Sequence, residues 1–389
     1  MIVLGLAVKR PLYQAVCGGL LTAAILYRIP PEAILTKAAG IFTNWELLSV
    51  LISLYLITYL QRMLEARDQI KLAQQDLNGL FHNRRIHVAA SSLVIGLLPS
   101  AAAMLLSGEL VKQSTKGYLK PEGQAFVTTW FRHIPESTLP TYAGILLMAN
   151  FSGVSLGNFM LGMIVPMLTL GALGYFPYLR RLPKDPGTPK SGSRYRDLLH
   201  LLKHLWTLFL ILMLILCFKL SVTAAAGTVI ALAAVIYRFK VRELSGMLRS
   251  AFEVNLLLST FLVLLLKELI DYGGVLEKLP AAFMALPIPS YLVFALLFFT
   301  GGMISGTNGM IALGAPLAFD SMDGGMPLMM LLMCMCHGAS QVSPTHICLA
   351  VAAEYFHVSL GALIRRTLPL VLAFCILMTG YYKLLTFFC

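Results

Sequence analysis

The residue types able to do chemistry concentrate in 131–142, Phe-Arg-His-Ile-Pro-Glu-Ser-Thr-Leu-Pro-Thr-Tyr. Arg132, His133 and Glu136 interrupt an apolar run that starts near Ala125 and resumes at Ala143. Charged groups at bilayer depth are costly and persist where they face a cavity or a partner. Arg132 offers a planar fork of donors suited to a carboxylate. Two other roles stay open for it: an ion pair with Glu136 four residues on, and snorkelling to the interface. Imidazole titrates in the physiological range, so His133 can carry a proton. Glu136 is a second proton carrier, or the structural partner of Arg132.

The pattern recurs. His337-Gly-Ala-Ser-Gln-Val-Ser-Pro-Thr repeats the spacing of His133, Pro140 and Thr141 at His337, Pro344 and Thr345. Val154-Ser-Leu-Gly and Val358-Ser-Leu-Gly follow at the same offset. Prolines here remove backbone donors and break a helix, and broken backbone at bilayer depth is tolerated where it lines a protein-enclosed cavity. Two broken helices in corresponding halves point to the binding site of a transporter. His337 thus joins His133 as a candidate for substrate or proton.

Small polar side chains lie on or beside the expected breaks and tips: Ser100, Ser305, Thr307, Asn308, Ser340, Gln341, Ser343 and Thr345. Such groups hold sodium or substrate in transporters, and otherwise serve as hydrogen-bonding glue between helices. Substrate contact is assigned to Arg132, His133, Ser100, Thr307, Asn308, His337, Ser340, Gln341 and Thr345, and ion coupling to Glu136, His133, His337, Ser305 and Ser343. Gly301, Gly302, Gly306 and Gly309 suit close backbone approach, since no Lys-Ser/Thr follows to complete a phosphate cradle. Cys334-Met-Cys336-His337 with His346 invites a metal reading, but cysteines two apart on a helix face away from each other. No metal site and no resident cofactor are expected, Na+ or H+ being the coupling ion. The Met-rich run 326–335 reads as core.

The elements that must position these groups are membrane helices. Hydrophobic residues make up 58% of the 389 and charged ones 12%, with a mean hydropathy of +0.78. That excludes an ordinary soluble domain. The fold class is an all-α polytopic membrane protein of two inverted-topology repeats, each with a re-entrant helical hairpin and a broken transmembrane helix. The first repeat covers 1–179, with hairpin 86–110 and broken helix 124–150. A basic linker, 180–203, leads to the second repeat, 204–389, with hairpin 291–319 and broken helix 327–356. The hairpins align as well: Gly96, Met104 and Gly108 match Gly302, Met310 and Gly314. Plain spans are expected at 12–27, 45–60, 161–178, 205–220 and 222–237. The repeat offset leaves the first helix short, as if clipped or started late. Placing the basic segments 61–86, 180–203 and 238–249 in the cytoplasm makes the two halves antiparallel.

The net charge of +12 accordingly belongs to cytoplasmic loops. No basic stripe interleaved with aromatics suggests nucleic acid. Seven cysteines, mostly within apolar runs, form no disulfide framework.

On Trp130-Phe-Arg-His-Ile-Pro-Glu, Ala339-Ser-Gln-Val-Ser-Pro-Thr-His-Ile-Cys-Leu and Ala353-Glu-Tyr-Phe, the chain resembles the ion transporter superfamily. That group contains arsenite permeases, dicarboxylate carriers, sodium/proton antiporters and gluconate permeases. It is most similar there to an uncharacterised prokaryotic integral-membrane family. The resemblance implies a homodimer whose scaffold carries a mobile transport unit of two hairpins and two broken helices, working by an elevator mechanism. It also implies substrate between tips bearing Ser-Asn-Thr motifs, a character that Gly306-Thr307-Asn308 keeps and Pro99-Ser100-Ala101 lacks.

The expected function is secondary transport of a small organic anion, carboxylate-like, coupled to protons or sodium. A sodium/proton-type cation antiporter is the alternative. No enzyme motif such as His-Glu-x-x-His is present. The partners are the solute, the lipid bilayer and a second copy of the chain, and the expected location is a prokaryotic inner membrane with the linker cytoplasmic.

Overall fold

In a bilayer every backbone N–H and C=O must find a partner within the protein, so an apolar run settles there as a helix or in a closed barrel. The computed structural model describes residues 12–80, 82–97, 102–185, 193–273, 287–344 and 346–388, and all regular structure among them is helical. Six helical stretches among them are long and apolar enough to cross a membrane, or seven if the pair Val241–Ala251 and Val254–Leu266, bent by 50°, is one span. This is a multi-pass membrane protein.

In chain order the helices are α1 (Leu12–Leu26), α2 (Pro31–Thr43), α3 (Trp45–Ala66), α4 (Gln69–Leu80), α5 (Arg84–Ile95), α6 (Ala102–Thr115) and α7 (Pro121–His133). They continue with α8 (Ala143–Ser152), α9 (Leu156–Gly162), α10 (Ile164–Tyr175), α11 (Arg194–Leu216), α12 (Val222–Ile236), α13 (Val241–Ala251) and α14 (Val254–Tyr272). The last four are α15 (Ser290–Ser321), α16 (Gly325–Val342), α17 (Ile347–Tyr355) and α18 (Leu360–Phe388).

Capping sets several starts. The repeated Val-Ser-Leu-Gly has the same local role twice: Ser155 Oγ accepts from Asn158 N–H, and Ser359 Oγ from Ala362 N–H. Such caps contribute about 0.5–2 kcal/mol each. Ser193 caps α11 in the same way. The span expected from 205 therefore begins at Arg194, and the last residues of the 180–203 linker are helical. Residues 186–192 of that linker lie outside the described residues.

Both hairpins fold back. In α5 and α6, Ser107 Oγ donates to Ser92 Oγ at 3.2 Å, which sets the two arms side by side. Their tip, 98–101, lies outside the described residues. α15 reverses at Gly306, whose φ of 76° and ψ of 162° belong to a region that essentially only glycine occupies. A Cβ on Gly314 would stand 2.6 Å from the Phe298 ring. In a straight helix those two residues would be about 24 Å apart.

Both broken helices break where the prolines stand. α7 ends at His133, a 3-10 turn spans Pro135–Ser137, and α8 resumes at Ala143. α16 ends at Val342 and α17 resumes at Ile347. α7 is buried throughout 123–133 and α16 throughout 327–342, so these two form the centre. Trp130 ties them down: its Nε1 donates to Leu170 O at 2.8 Å, and its ring meets the His337 ring edge-on at 6.5 Å.

The hairpins then cross over. Met104 on α6 clusters with Cys348 and Ala352 of α17, and Gly108 lies against the Tyr355 ring. In return, Thr307, Asn308 and Ile311 of α15 lie against Gly144 of α8. Each hairpin's outgoing arm thus rests on the far segment of the other half's broken helix. Residues 274–286, before Pro287, lie outside the described residues.

Candidate functional site

A cavity of about 450 Å³ opens where the two breaks meet the tip of α15. That size suits a small solute. Its wall takes Arg132, Glu136, Ser137, Thr141, Ala143 and Gly144 from the first break, and Ser340, His346, Ile347 and Cys348 from the second. Ser305, Thr307 and Asn308 close it from the hairpin. Close approach is built into two glycines, one at each contact between a hairpin and the first broken helix. A Cβ on Gly144 would lie 2.9 Å from Asn308 Oδ1, and Gly96 lies against the Arg132 carbonyl while its own carbonyl accepts from Tyr142 Oη. Both hairpins therefore anchor on 132–144.

Two helix amino ends, those of α8 and α17, face this space, and neither N-cap residue, Tyr142 or His346, supplies a side-chain cap. The first-turn N–H groups of a helix are donors without intrahelical partners, and the helix dipole adds positive potential there.

Among the described residues, the expected site residues divide into three groups. Arg132, Glu136, Ser305, Thr307, Asn308, His337 and Ser340 line the cavity. His133, fully buried, stands one layer behind it, with its Nε2 3.1 Å from His346 Nε2 and 3.7 Å from Glu136 Oε2. Two others point away. Ser343 Oγ donates to Met303 O at 2.7 Å and so fastens the break to the hairpin. Gln341 is wholly buried off the cavity wall, and its amide has no partner among the described residues. Ser100 and Thr345 lie outside the described residues.

The Arg132–Glu136 pair gives way to another arrangement, because Pro135 ends the helical register between them. Glu136 turns to His133, while Arg132 Nη1 donates to Cys348 Sγ at 3.7 Å.

Several wall residues were not picked out by sequence reasoning. Ser137 Oγ lies 2.8 Å from His337 Nδ1, joining the two halves across 200 positions. Ser137 is one residue past Glu136 on the expected break, so its position was a usable signal. Thr141 was legible as the repeat partner of Thr345. His346 and Cys348 gave only a diffuse signal beside the second break. Glu253, paired to Arg62 at 2.8 Å, reaches the wall from outside both broken helices and had none.

A family model described as "Protein of unknown function (DUF401)" matches residues 18–384. No curated protein matches the chain. Among solved structures, the fold is similar to that of the Alcanivorax borkumensis YdaH transporter. The TM-score is 0.62 at 15% identity, over 92% of this chain and 89% of that one.

Proposed function

The chain belongs to the DUF401 family, and from its cavity we propose that it is a secondary active transporter of a small organic anion, carboxylate-like. One observation carries this reading. The single Arg or Lys on either broken helix, Arg132, stands on a small-solute cavity that two uncapped helix amino ends also face. Interrupted helices of transporters use their amino ends in this way for anionic groups.

In this reading the chain is a member of the ion transporter superfamily with two inverted-topology repeats, and is not an enzyme. It works as a homodimer in a prokaryotic inner membrane, with the 180–203 linker cytoplasmic. The hairpins and broken helices move together as an elevator, driven by protons or sodium. The similarity to a transporter fold and the crossed packing of the hairpins support it.

The test is a thermal-shift screen of purified protein against carboxylates, sugar acids and oxyanions, with and without sodium. A ligand that binds only the folded state raises the melting temperature with the logarithm of its concentration. Flux of the best ligand in proteoliposomes follows. No stabilising anion and no anion flux would refute the reading. A second reading, the cation/proton antiporter, draws on Glu136 and Glu253 on the same wall. It predicts proton release on adding sodium with no anion present.

A further inference from the structure

The geometry points to a binding site for a late first-row divalent cation such as Zn2+, built from His133, His346 and Cys348 with Glu136 beside them. One ligand atom from each of His133, His346 and Cys348 lies within 4.8 Å of the others. The two Nε2 atoms are 3.1 Å apart. A tetrahedral zinc site, with Zn–N near 2.0–2.1 Å and Zn–S near 2.3 Å, spaces its ligand atoms by roughly 3.3–3.6 Å. The histidines already stand near that spacing, and a side-chain shift of about an ångström brings in the sulfur.

The ligand types agree with the metal. Imidazole and thiolate favour zinc and its neighbours over magnesium or calcium. Glu136 Oε2 is 3.7 Å from His133 Nε2 but outside the three-residue cluster, so a turn of its side chain would supply the fourth ligand, a position otherwise left to a solute. Thiolate and carboxylate together balance a divalent charge. Glu136, His346 and Cys348 lie on the cavity wall, so the ion has a way in.

The objection that ligands two residues apart face away holds inside a regular helix. His346, however, is an N-cap with extended backbone (φ −77°, ψ 111°), and the helix starts only at Ile347. That turn lets His346 and Cys348 aim at the same point. His133 comes from the other half, so a bound ion ties the two broken helices together. The assignment does not depend on which solute the cavity carries.

The experiment uses the full chain in detergent, stripped with chelator and titrated with Co2+ and then Zn2+. Uptake of one Co2+ per chain is expected, with the visible bands of four-coordinate cobalt and a thiolate-to-cobalt charge-transfer band, both abolished by Zn2+. Cys348→Ser should lose the charge-transfer band, and His346→Gln should weaken Zn2+ binding at least about tenfold, since even outer-shell changes cost roughly 10–100-fold. Cys217→Ser, at an exposed and remote cysteine, should change neither. No stoichiometric cobalt uptake, or a charge-transfer band that survives Cys348→Ser, would overturn the site. Should the variants fail to fold, alkylation of Cys348 by N-ethylmaleimide in the unmodified protein decides the matter by mass spectrometry. Zn2+ should slow it at least about tenfold, and an unchanged rate would equally overturn the site.

Discussion

The two breaks share a spacing of His and Pro-Thr but not a chemistry. The first, 134–142, is flanked by Arg132 and His133, holds Glu136 and is stiffened by a 3-10 turn. The second, 343–346, is shorter and carries no Arg, Lys, Asp or Glu. Ser340 beside it and Ser343 within it spend their hydroxyl protons on His337 O and Met303 O. The first break thus brings charge to the cavity, while the second, with the tip of α15, brings shape and neutral dipoles. A shared spacing does not require a shared chemistry: the Arg and Glu side chains on the cavity wall from the two breaks all come from the first.

The largest expected effect is on Arg132. Arg132→Lys keeps the charge and loses the fork, whereas Arg132→Gln loses both. Losing a hydrogen bond to a charged group costs roughly 1.5–3 kcal/mol, about ten- to a hundredfold in affinity. Anion binding, measured by calorimetry on the best ligand of the screen, should weaken from wild type to Lys to Gln. Unchanged affinity in Arg132→Gln would remove the charged role from the first break.

Next comes the shape side. Gly306 holds a φ/ψ that a Cβ resists, at a cost of about 1–3 kcal/mol. Gly306→Ala should lower the melting temperature and disturb the tip that carries Thr307 and Asn308. Gly246→Ala, a helical position with open space around it, is the control and should not be destabilising. Equal melting of both variants would show that the tip needs no special geometry.

A smaller effect is expected at the contact between the halves. Ser137→Ala removes the group 2.8 Å from His337 Nδ1. Leaving a buried ring nitrogen without that partner costs about 1–3 kcal/mol. His337→Gln alone, and the double variant, complete a cycle in which coupled residues deviate from additivity by roughly 0.5–3 kcal/mol. Additive losses of stability would mean that the two breaks do not communicate through this pair.

The features legible in the sequence were those written in local order. Pro135, Pro140 and Pro344 marked the breaks, Gly306 lay within the expected tip, and Arg132 was singled out as a residue that does line the cavity. What escaped depends on tertiary contact. Nothing near His346 or Cys348 says that His133 lies against them, because the sequence separation exceeds 200 residues. A metal reading was raised in the sequence only at Cys334 and Cys336, and was set aside there because residues two apart on a helix face away from each other. Cys334 Sγ faces Met330 Sδ at 3.7 Å, one helical turn back along α16, and the cysteine that meets the histidines stands beyond the break. The start of α11 at Arg194 was hidden by a polar first turn, although Ser193 is a sound N-cap.

The smallest effect is predicted for Glu253, and it limits how far charge on the wall matters. Glu253 reaches the cavity, but its Oε1 accepts from Arg62 Nη2 at 2.8 Å, and the two side chains are 45% and 35% exposed. A pair that open to water contributes about 0–1 kcal/mol, so Glu253 already behaves as a neutralised dipole. Glu253→Gln leaves Arg62 to its other partner, Glu65 at 3.0 Å, and places no new charge inside the breaks. It should change anion affinity by less than about fivefold, the range that 1 kcal/mol allows. Any gain should fade at high salt, because exposed charges are screened over about 10 Å at 0.1 M. A loss as large as that of Arg132→Gln would mean that the carboxylate outside the breaks belongs to the site. The cavity would then be a cation site with Glu136 and Glu253 as its walls, and the antiporter reading would take precedence.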